Sequence, residues 1–171
     1  MSTVWTPTTS IQHFQEARFK AMLTRLIDTL HQRPSQMLSL DDIRSRLNVR
    51  GQRSLGNQIV PLDQIIGSEG RYADFDRRFL PRSDTLRDRW VNIDRAMVND
   101  VTLPPVDLYK IGDVYFVRDG NHRVSVARQL GQVDIDAYVT ELQVDVPITR
   151  EISLRDLILK EEYSDFLEWT G

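Results

Sequence analysis

Five consecutive residues, 119–123 (Asp-Gly-Asn-His-Arg), are polar or flexible and lie between two apolar segments in "VRDGNHRVSVARQLG". The segment before them resembles a strand and the segment after them has helical spacing, which predicts a strand-to-helix turn. The first turn of a helix presents unpaired backbone N–H groups and the positive end of the helix dipole. The chemistry that this stretch favours is therefore the binding of a phosphate or another anion.

Each residue of the turn has a predicted role in such a site. Asp119 is expected to cap the helix, and Gly120 lets the backbone approach a ligand closely. The N–H groups of Asn121, His122 and Arg123 would point at the anion, and the last two side chains would add donors. Cations are unfavourable at this helix end, so their presence favours an anion site. The alternative is an ordinary Asp-Gly turn with solvated side chains.

The composition excludes several other kinds of site. The chain has 171 residues and no cysteine, so disulfides, zinc–thiolate sites and cysteine nucleophiles are excluded. The three histidines, His13, His31 and His122, do not have the spacing of a metal motif. We therefore expect no metal site built from side chains, and we expect His13 and His31 to be ordinary surface residues.

Charge is distributed unevenly along the chain. The net charge is −3, and residues 141–171 contain eight acidic and three basic residues, so the remaining 140 residues carry +2. Nucleic-acid binders usually have a basic excess, so nucleic acid is a permitted but not a favoured partner. No apolar run is long enough to span a bilayer and no signal pattern is visible, so we expect no membrane contact and a cytoplasmic location.

The apolar periodicity predicts helices at both ends of the chain and a small sheet between them. Ser10 is expected to cap a helix that ends at Pro34, and Ser39 to cap a short second helix. The glycine-rich "GQRSLGNQ" is expected to be a link into a short strand at 58–60. The other predicted elements are a helix capped by Ser83 or Asp84, a hairpin at 108–117 turning at Gly112-Asp113, a helix closed by Gly131, a strand with Ile135, Ala137 and Val139 inward, and a last helix capped by Ser153.

These elements indicate the α+β class, with a small mixed sheet, packed helices, extra N-terminal helices and a C-terminal helix. The expected organisation is an N-terminal helical extension (1–52), a core (53–145) and a C-terminal helix (146–171), which together form one compact unit.

Residues 58–142 resemble the N-terminal domain of the ParB partition family, also called the ParB-like nuclease domain family, and its sulfiredoxin-like relatives. The resemblance rests on the order of hairpin, D-G-x-H-R turn, helix and closing strand in "VDLYKIGDVYFVRDGNHRVSVARQLGQVDIDAYV", and on the upstream "IVPLDQI". It implies the ParB/sulfiredoxin-like fold for the core. Asn121 stands at the position of the sulfiredoxin cysteine, so the sulfiredoxin reaction is excluded.

Free-serine kinases of this superfamily are similar at the turn itself. Their Asp-Gly-His-His-Arg matches this chain at Asp119, Gly120, His122 and Arg123. The resemblance implies a catalytic acid shortly after the opening strand, a position that Glu69 in "GSEGR" occupies. Glu69 would then be a general base, and Asp119 or a nearby acid would help to bridge magnesium to the phosphates. The alternative for Glu69 is an exposed acid in a flexible loop.

Four arginines are mixed with aromatic residues in "RYADFDRRFLPR" (residues 71–82). The mixture suits the phosphates and base of a nucleotide, and it equally suits a structured loop with ion pairs. Arg71 is the favoured ligand-binding residue of this stretch, because the neighbouring Gly70 allows the loop to approach a ligand.

Three functions are compatible with these residues. The first is binding of a nucleotide (ATP, ADP or CTP, with Mg²⁺) or of another phosphorylated small molecule, with phosphotransfer to a small hydroxyl substrate as its catalytic form. The second is a ParB-like DNA-binding or nuclease module. The third is a non-catalytic regulatory or protein-interaction domain, in which the apolar N-terminal helix forms a homodimer.

Overall fold

The computed structural model describes residues 7–32, 35–46, 49–71 and 73–144. The helix predicted after Ser153 lies outside these residues. The helices are α1 (Pro7–Leu30), α2 (Leu40–Arg46), α3 (Arg87–Val98) and α4 (Asn121–Gln129). The strands are β1 (Leu38–Ser39), β2 (Val49–Pro61), β3 (Ile65–Ser68), β4 (Val106–Ile111), β5 (Val114–Asp119) and β6 (Asp134–Val144).

The strands form one mixed six-stranded sheet in the order β1-β3-β5-β4-β6-β2. Neighbours run parallel in β1–β3, β3–β5 and β4–β6, and antiparallel in β4–β5 and β2–β6. This arrangement confirms the predicted α+β class. Because β3 and β5 are parallel, their carboxyl ends meet at the same edge of the sheet, with Ser68 beside Val117.

Both faces of the sheet are covered, because successive side chains of a strand point to opposite sides. On one face, α1, α3 and α4 pack against residues such as Leu108 and Val117, and the core there includes the fully buried Trp90. On the other face, α2 packs against Tyr109 and Phe116. The site described below lies where the helical face meets the carboxyl edge of the parallel strands.

Two predicted helix starts had different outcomes. The cap predicted at Ser10 is wrong, because α1 begins at Pro7 and Ser10 is buried within the helix. Proline is well suited to a first helical turn, where its missing N–H has no partner to lose. The short helix after Ser39 is confirmed as α2.

The predicted glycine-rich link is also wrong. Residues 49–61 form the long strand β2, which pairs with β6 from Val49 opposite Val144 to Pro61 opposite Asp134. Glycine is unfavourable inside a regular strand. Here the register of β2 against β6 shifts next to Gly51 and Gly56, so both glycines lie at irregular positions of the strand. The domain boundary expected at residue 52 therefore falls inside a strand.

The elements around the central hairpin agree with the sequence. The β4–β5 hairpin turns at Gly112, whose φ is 59°. Helix α4 ends in a Schellman motif, in which the N–H of Gly131 donates to Arg128 O and the N–H of Gln132 donates to Ala127 O, both at 3.0 Å. In β6, Ala137 and Val139 are buried as expected.

His13 is not the surface residue that the sequence suggests. Its Nδ1 lies 2.9 Å from Oδ2 of Asp94, a carboxylate of α3 that is fully buried. The pair therefore joins α1 to α3 within the packed helical layer.

Candidate anion site at the first turn of α4

The loop after β3 is held beside the start of α4. The N–H of Glu69 donates to Val117 O at 2.8 Å, which continues the pairing of β3 and β5 by one residue. The buried hydroxyl of Ser68 donates to Val117 O at 3.3 Å and accepts from the N–H groups of Gly70 and Arg71, each at 3.4 Å. Because β5 leads within three residues into α4, this loop borders the first turn of the helix.

Glycine is required at the N-cap of α4. Gly120 has φ 110° and ψ 26°, and a Cβ built there would lie 2.5 Å from Cγ1 of Val106. The prediction that Asp119 caps the helix is wrong, because Asp119 is the last residue of β5 and no side chain caps α4. The N–H groups at the start of the helix therefore keep the unpaired character that suits an anion.

The side chain of Arg123 folds back over the start of this turn, and its Nη2 lies 3.1 Å from the position of a Cβ built at Gly120. It donates to the carbonyl oxygens of Pro104 and Pro105 and, at 3.0 Å, to the carboxylate of Asp119. It also lines a cavity of about 350 Å³ beside the β4 loop, together with Asp134. The structure thus places the guanidinium of Arg123 beside Asp119 and Gly120, with its Nη1 and Nη2 already bound to the two proline carbonyls and the Asp119 carboxylate.

His122 and Asn121 are buried in the first turn, 5% and 6% exposed. Among the described residues, neither Nε2 of His122 nor Oδ1 of Asn121 has a hydrogen-bond partner. Burial and then the charges of Arg89 and Arg71 lower the pKa of His122 to about 4, while Asp74 acts in the opposite direction. His122 is therefore neutral at pH 7, and one of its ring nitrogens is a donor. The sequence suggests that His122 acts as a cation, but in the structure it is a neutral hydrogen-bond donor.

Two arginines bring positive charge to this buried histidine. Arg71 is exposed and pairs with Asp74 at 3.0 Å. Arg89 is exposed on α3, and its side chain makes no ion pair or hydrogen bond with the part of the chain that the structure describes. The next residue, Trp90, fixes α3 against α4 by donating to Oγ of Ser125 at 2.9 Å. The sequence does not single out Arg89, since an arginine on an amphipathic helix normally belongs to its solvated face.

The carboxylate of Glu69 is directed toward α2. Its Oε1 lies 3.8 Å from Nη1 of Arg44, and Arg44 and Arg118 both stack on the ring of Tyr109, at 5.3 and 5.5 Å from its centroid. The backbone of Glu69 is therefore beside the α4 turn, while its side chain joins a cluster on the opposite face of the sheet.

The arginine-rich stretch is a structured loop, the second of its two predicted forms. Phe75 and Phe79 are fully buried in the core. Arg78 donates to both carboxylate oxygens of the buried Asp28, at 2.9 and 3.2 Å. These aromatic rings are consequently not available to stack on a base, and Arg71 is left as the arginine of this stretch that borders the site.

The described residues contain no group of three or more His, Cys, Asp or Glu side chains that could hold a metal ion. None of their helices is long and apolar enough to cross a membrane.

Comparison with known proteins yields one similarity of fold. No protein-family model matches the chain, and no curated protein matches it. A solved structure of sulfiredoxin from Arabidopsis thaliana is similar over 48% of this chain and 82% of its own, at 17% sequence identity and a TM-score of 0.38. The similarity concerns the sulfiredoxin-like fold alone, and nothing about activity follows from it.

Proposed function

We propose that this chain binds the phosphate groups of a nucleotide at the first turn of α4. The observation that carries the proposal is the buried Nε2 of His122, which lacks a partner among the described residues. The neighbouring Oδ1 of Asn121 also lacks one, and because it is an acceptor its partner would be a hydroxyl or amino group of the nucleotide. A buried polar atom without a hydrogen bond costs about 1–3 kcal/mol, and most buried polar atoms in folded proteins have a partner. A ligand that completed these bonds would recover that free energy.

The surrounding charge favours an anion. The first-turn N–H groups carry partial positive charge, and Arg71 and Arg89 each add a full one. A neutral His122 avoids a third cation in the free protein and still offers a donor. In this proposal the phosphate oxygens contact the N–H groups and the two arginines, and His122 Nε2, which is closed to water, is reached after a small rearrangement of its neighbours. The resemblance of the turn to free-serine kinases supports a nucleotide over a smaller anion.

The catalytic form of the proposal is phosphotransfer to a small hydroxyl substrate. Glu69 would accept the proton of the attacking hydroxyl, whose oxygen forms a bond to the γ-phosphorus as the bond to the β-phosphate oxygen breaks and the nucleoside diphosphate leaves. This role requires the Glu69 carboxylate to exchange its contact with Arg44 for the substrate. Magnesium typically takes one or two carboxylates and completes its shell with phosphates and water, so Asp119 together with the nucleotide would suit it.

The test is a thermal-shift and calorimetric screen of ATP, ADP, CTP and GTP, with and without Mg²⁺. A ligand that binds only the folded chain must raise the Tm. We expect one of the four to do so, and we expect Arg89→Ala and His122→Ala each to weaken its binding by about 10-fold or more. Arg87→Ala is the matched control, since Arg87 is also exposed near the start of α3 but pairs with Asp88.

Two results would contradict the proposal. One is that no nucleotide shifts the Tm, and the other is that the Arg89 and His122 variants bind as tightly as the control. If DNA binds, with an affinity that falls steeply with salt, while mononucleotides do not, a nucleic-acid function replaces the nucleotide function.

A further inference from the structure

Helix α1 has two apolar faces on opposite sides. The first, which includes Phe14, Ala17 and Ala21, is buried against the rest of the domain. The second consists of six large side chains that are between 41% and 81% exposed: Phe19, Met22, Leu23, Leu26, Ile27 and Leu30. At about 100° per residue, the centres of the two faces are about 180° apart around the helix. We call this second set the outer face of α1.

The outer face is presented on a helix that is fixed to the domain. Helix α1 has 24 residues and its neighbour α3 has 12, which correspond to about 36 Å and 18 Å of length. Near the far end of α1, the buried carboxylate of Asp28 binds Arg78 through two hydrogen bonds on the inner side. The outer face is therefore held in a defined orientation along the C-terminal half of α1.

The spacing on the outer face is that of a helix–helix seam. Phe19, Leu23, Leu26 and Leu30 are separated by four, three and four residues, which is the apolar repeat of a coiled coil. The flanking positions are Lys20, Met22, Ile27 and Thr29, so two of the four are also apolar. The apolar face of a surface helix normally packs against another element, so a helix with two such faces is expected to be covered on both.

We propose that the outer face of α1 is covered by the outer face of a second copy of this chain. The same patch then meets itself across a two-fold axis. Lys20 is the one charged residue at the four flanking positions, and a two-fold pairing leaves no like charge directly opposite it. The six side chains expose on the order of 600 Å² per copy, close to the ~800 Å² that each partner buries in a specific dimer.

The test is the molar mass of the full chain in solution, measured by light scattering over a range of concentrations. We expect a dimer, and we expect Leu26→Lys to give a monomer with an unchanged circular dichroism spectrum, since Leu26 is exposed within the single domain. Ile59→Lys is the control, because Ile59 is also a well-exposed apolar residue but lies on β2; this variant should remain a dimer.

The proposal fails if the unaltered chain is a monomer at every concentration, or if Leu26→Lys remains a dimer. A monomer that binds a hydrophobic dye only after removal of residues 145–171 would assign the outer face to that segment of the same chain. Nucleotide binding does not depend on this surface, so the two proposals can fail separately.

Discussion

The ring of His122 meets the ring of Phe75 edge-on, with the centroids 5.1 Å apart and the planes at 88°. The imidazole is buried at this contact, and burial is the main reason that its pKa falls to about 4. In the unfolded chain the same group protonates near pH 6.5. The unfolded state therefore binds more protons than the folded state between these values, and the folded state loses stability as the pH falls through that window.

We expect His122→Gln to reduce the dependence of stability on pH. A difference of about 2.5 pKa units corresponds to about 3 kcal/mol, which the unaltered chain should lose between pH 7 and pH 4 on account of this residue. Urea unfolding at several pH values measures the loss, and the variant should lose less by that amount. Parallel stability curves for the two proteins would show that His122 is not held neutral by the fold.

Binding of a nucleotide is expected to take up protons at His122. A phosphate beside the imidazole favours its charged form, so the pKa of His122 should rise on binding. Calorimetry with ADP at pH 6 in two buffers of different ionisation enthalpy counts the protons. The uptake should be smaller in His122→Gln at matched saturation, and equal uptake in both proteins would place the anion elsewhere.

Gly120 and Gly131 form a matched pair for substitution, because both have a positive φ, at 110° and 76°. An alanine Cβ at residue 120 would collide with Val106, whereas nothing lies within 4 Å of a Cβ at residue 131. We expect Gly131→Ala to lower the free energy of unfolding by about 1 kcal/mol from backbone strain alone, and Gly120→Ala to lower it by roughly 3 kcal/mol or more. Similar values for the two variants, from chemical denaturation, would contradict the close approach of Gly120 to Val106.

His13→Ala is expected to destabilise the chain by about 3 kcal/mol, because it removes the partner of a fully buried carboxylate. Arg53→Ala is the comparison, since Arg53 is mostly exposed and its ion pair with Glu141 lies on the surface, where such pairs contribute about 1 kcal/mol or less. Thermal unfolding of both variants measures the difference. Equal losses would mean that Asp94 finds another partner when His13 is absent.

The sequence predicted the fold where local patterns decide it. Local patterns predicted the helices α1 and α2. The Gly112 turn located the β4–β5 hairpin, and Gly131 marked the end of α4. The part of β2 before residue 58 was missed, because its hydrogen bonds come from β6, which lies more than 70 residues later at every pair. The glycine-rich sequence of this part carries no strand signal of its own.

The position of the candidate site in the chain could be predicted from the sequence, but the contacts and charge states of its side chains could not. The strand-to-helix turn at residues 119–123 is where the sequence put it, because glycine and the onset of helical spacing are local signals. The neutrality of His122 depends on its burial and on the charges of Arg89 and Arg71, and the orientation of Arg123 depends on the carbonyl of Pro105. Contacts of this kind arise only once the chain has folded.

The outer edge of the sheet has a consequence for solubility. Strand β2 pairs with β6 alone among the described strands, so its other side presents backbone groups to which an extended chain from another molecule could bind. Long regular edges of this kind promote aggregation. Here the irregularities at Gly51 and Gly56 interrupt the edge, and Arg50 and Arg53 add charge to it. The glycines that prevented most of β2 from being predicted as a strand thus help to protect the folded protein from edge-to-edge association.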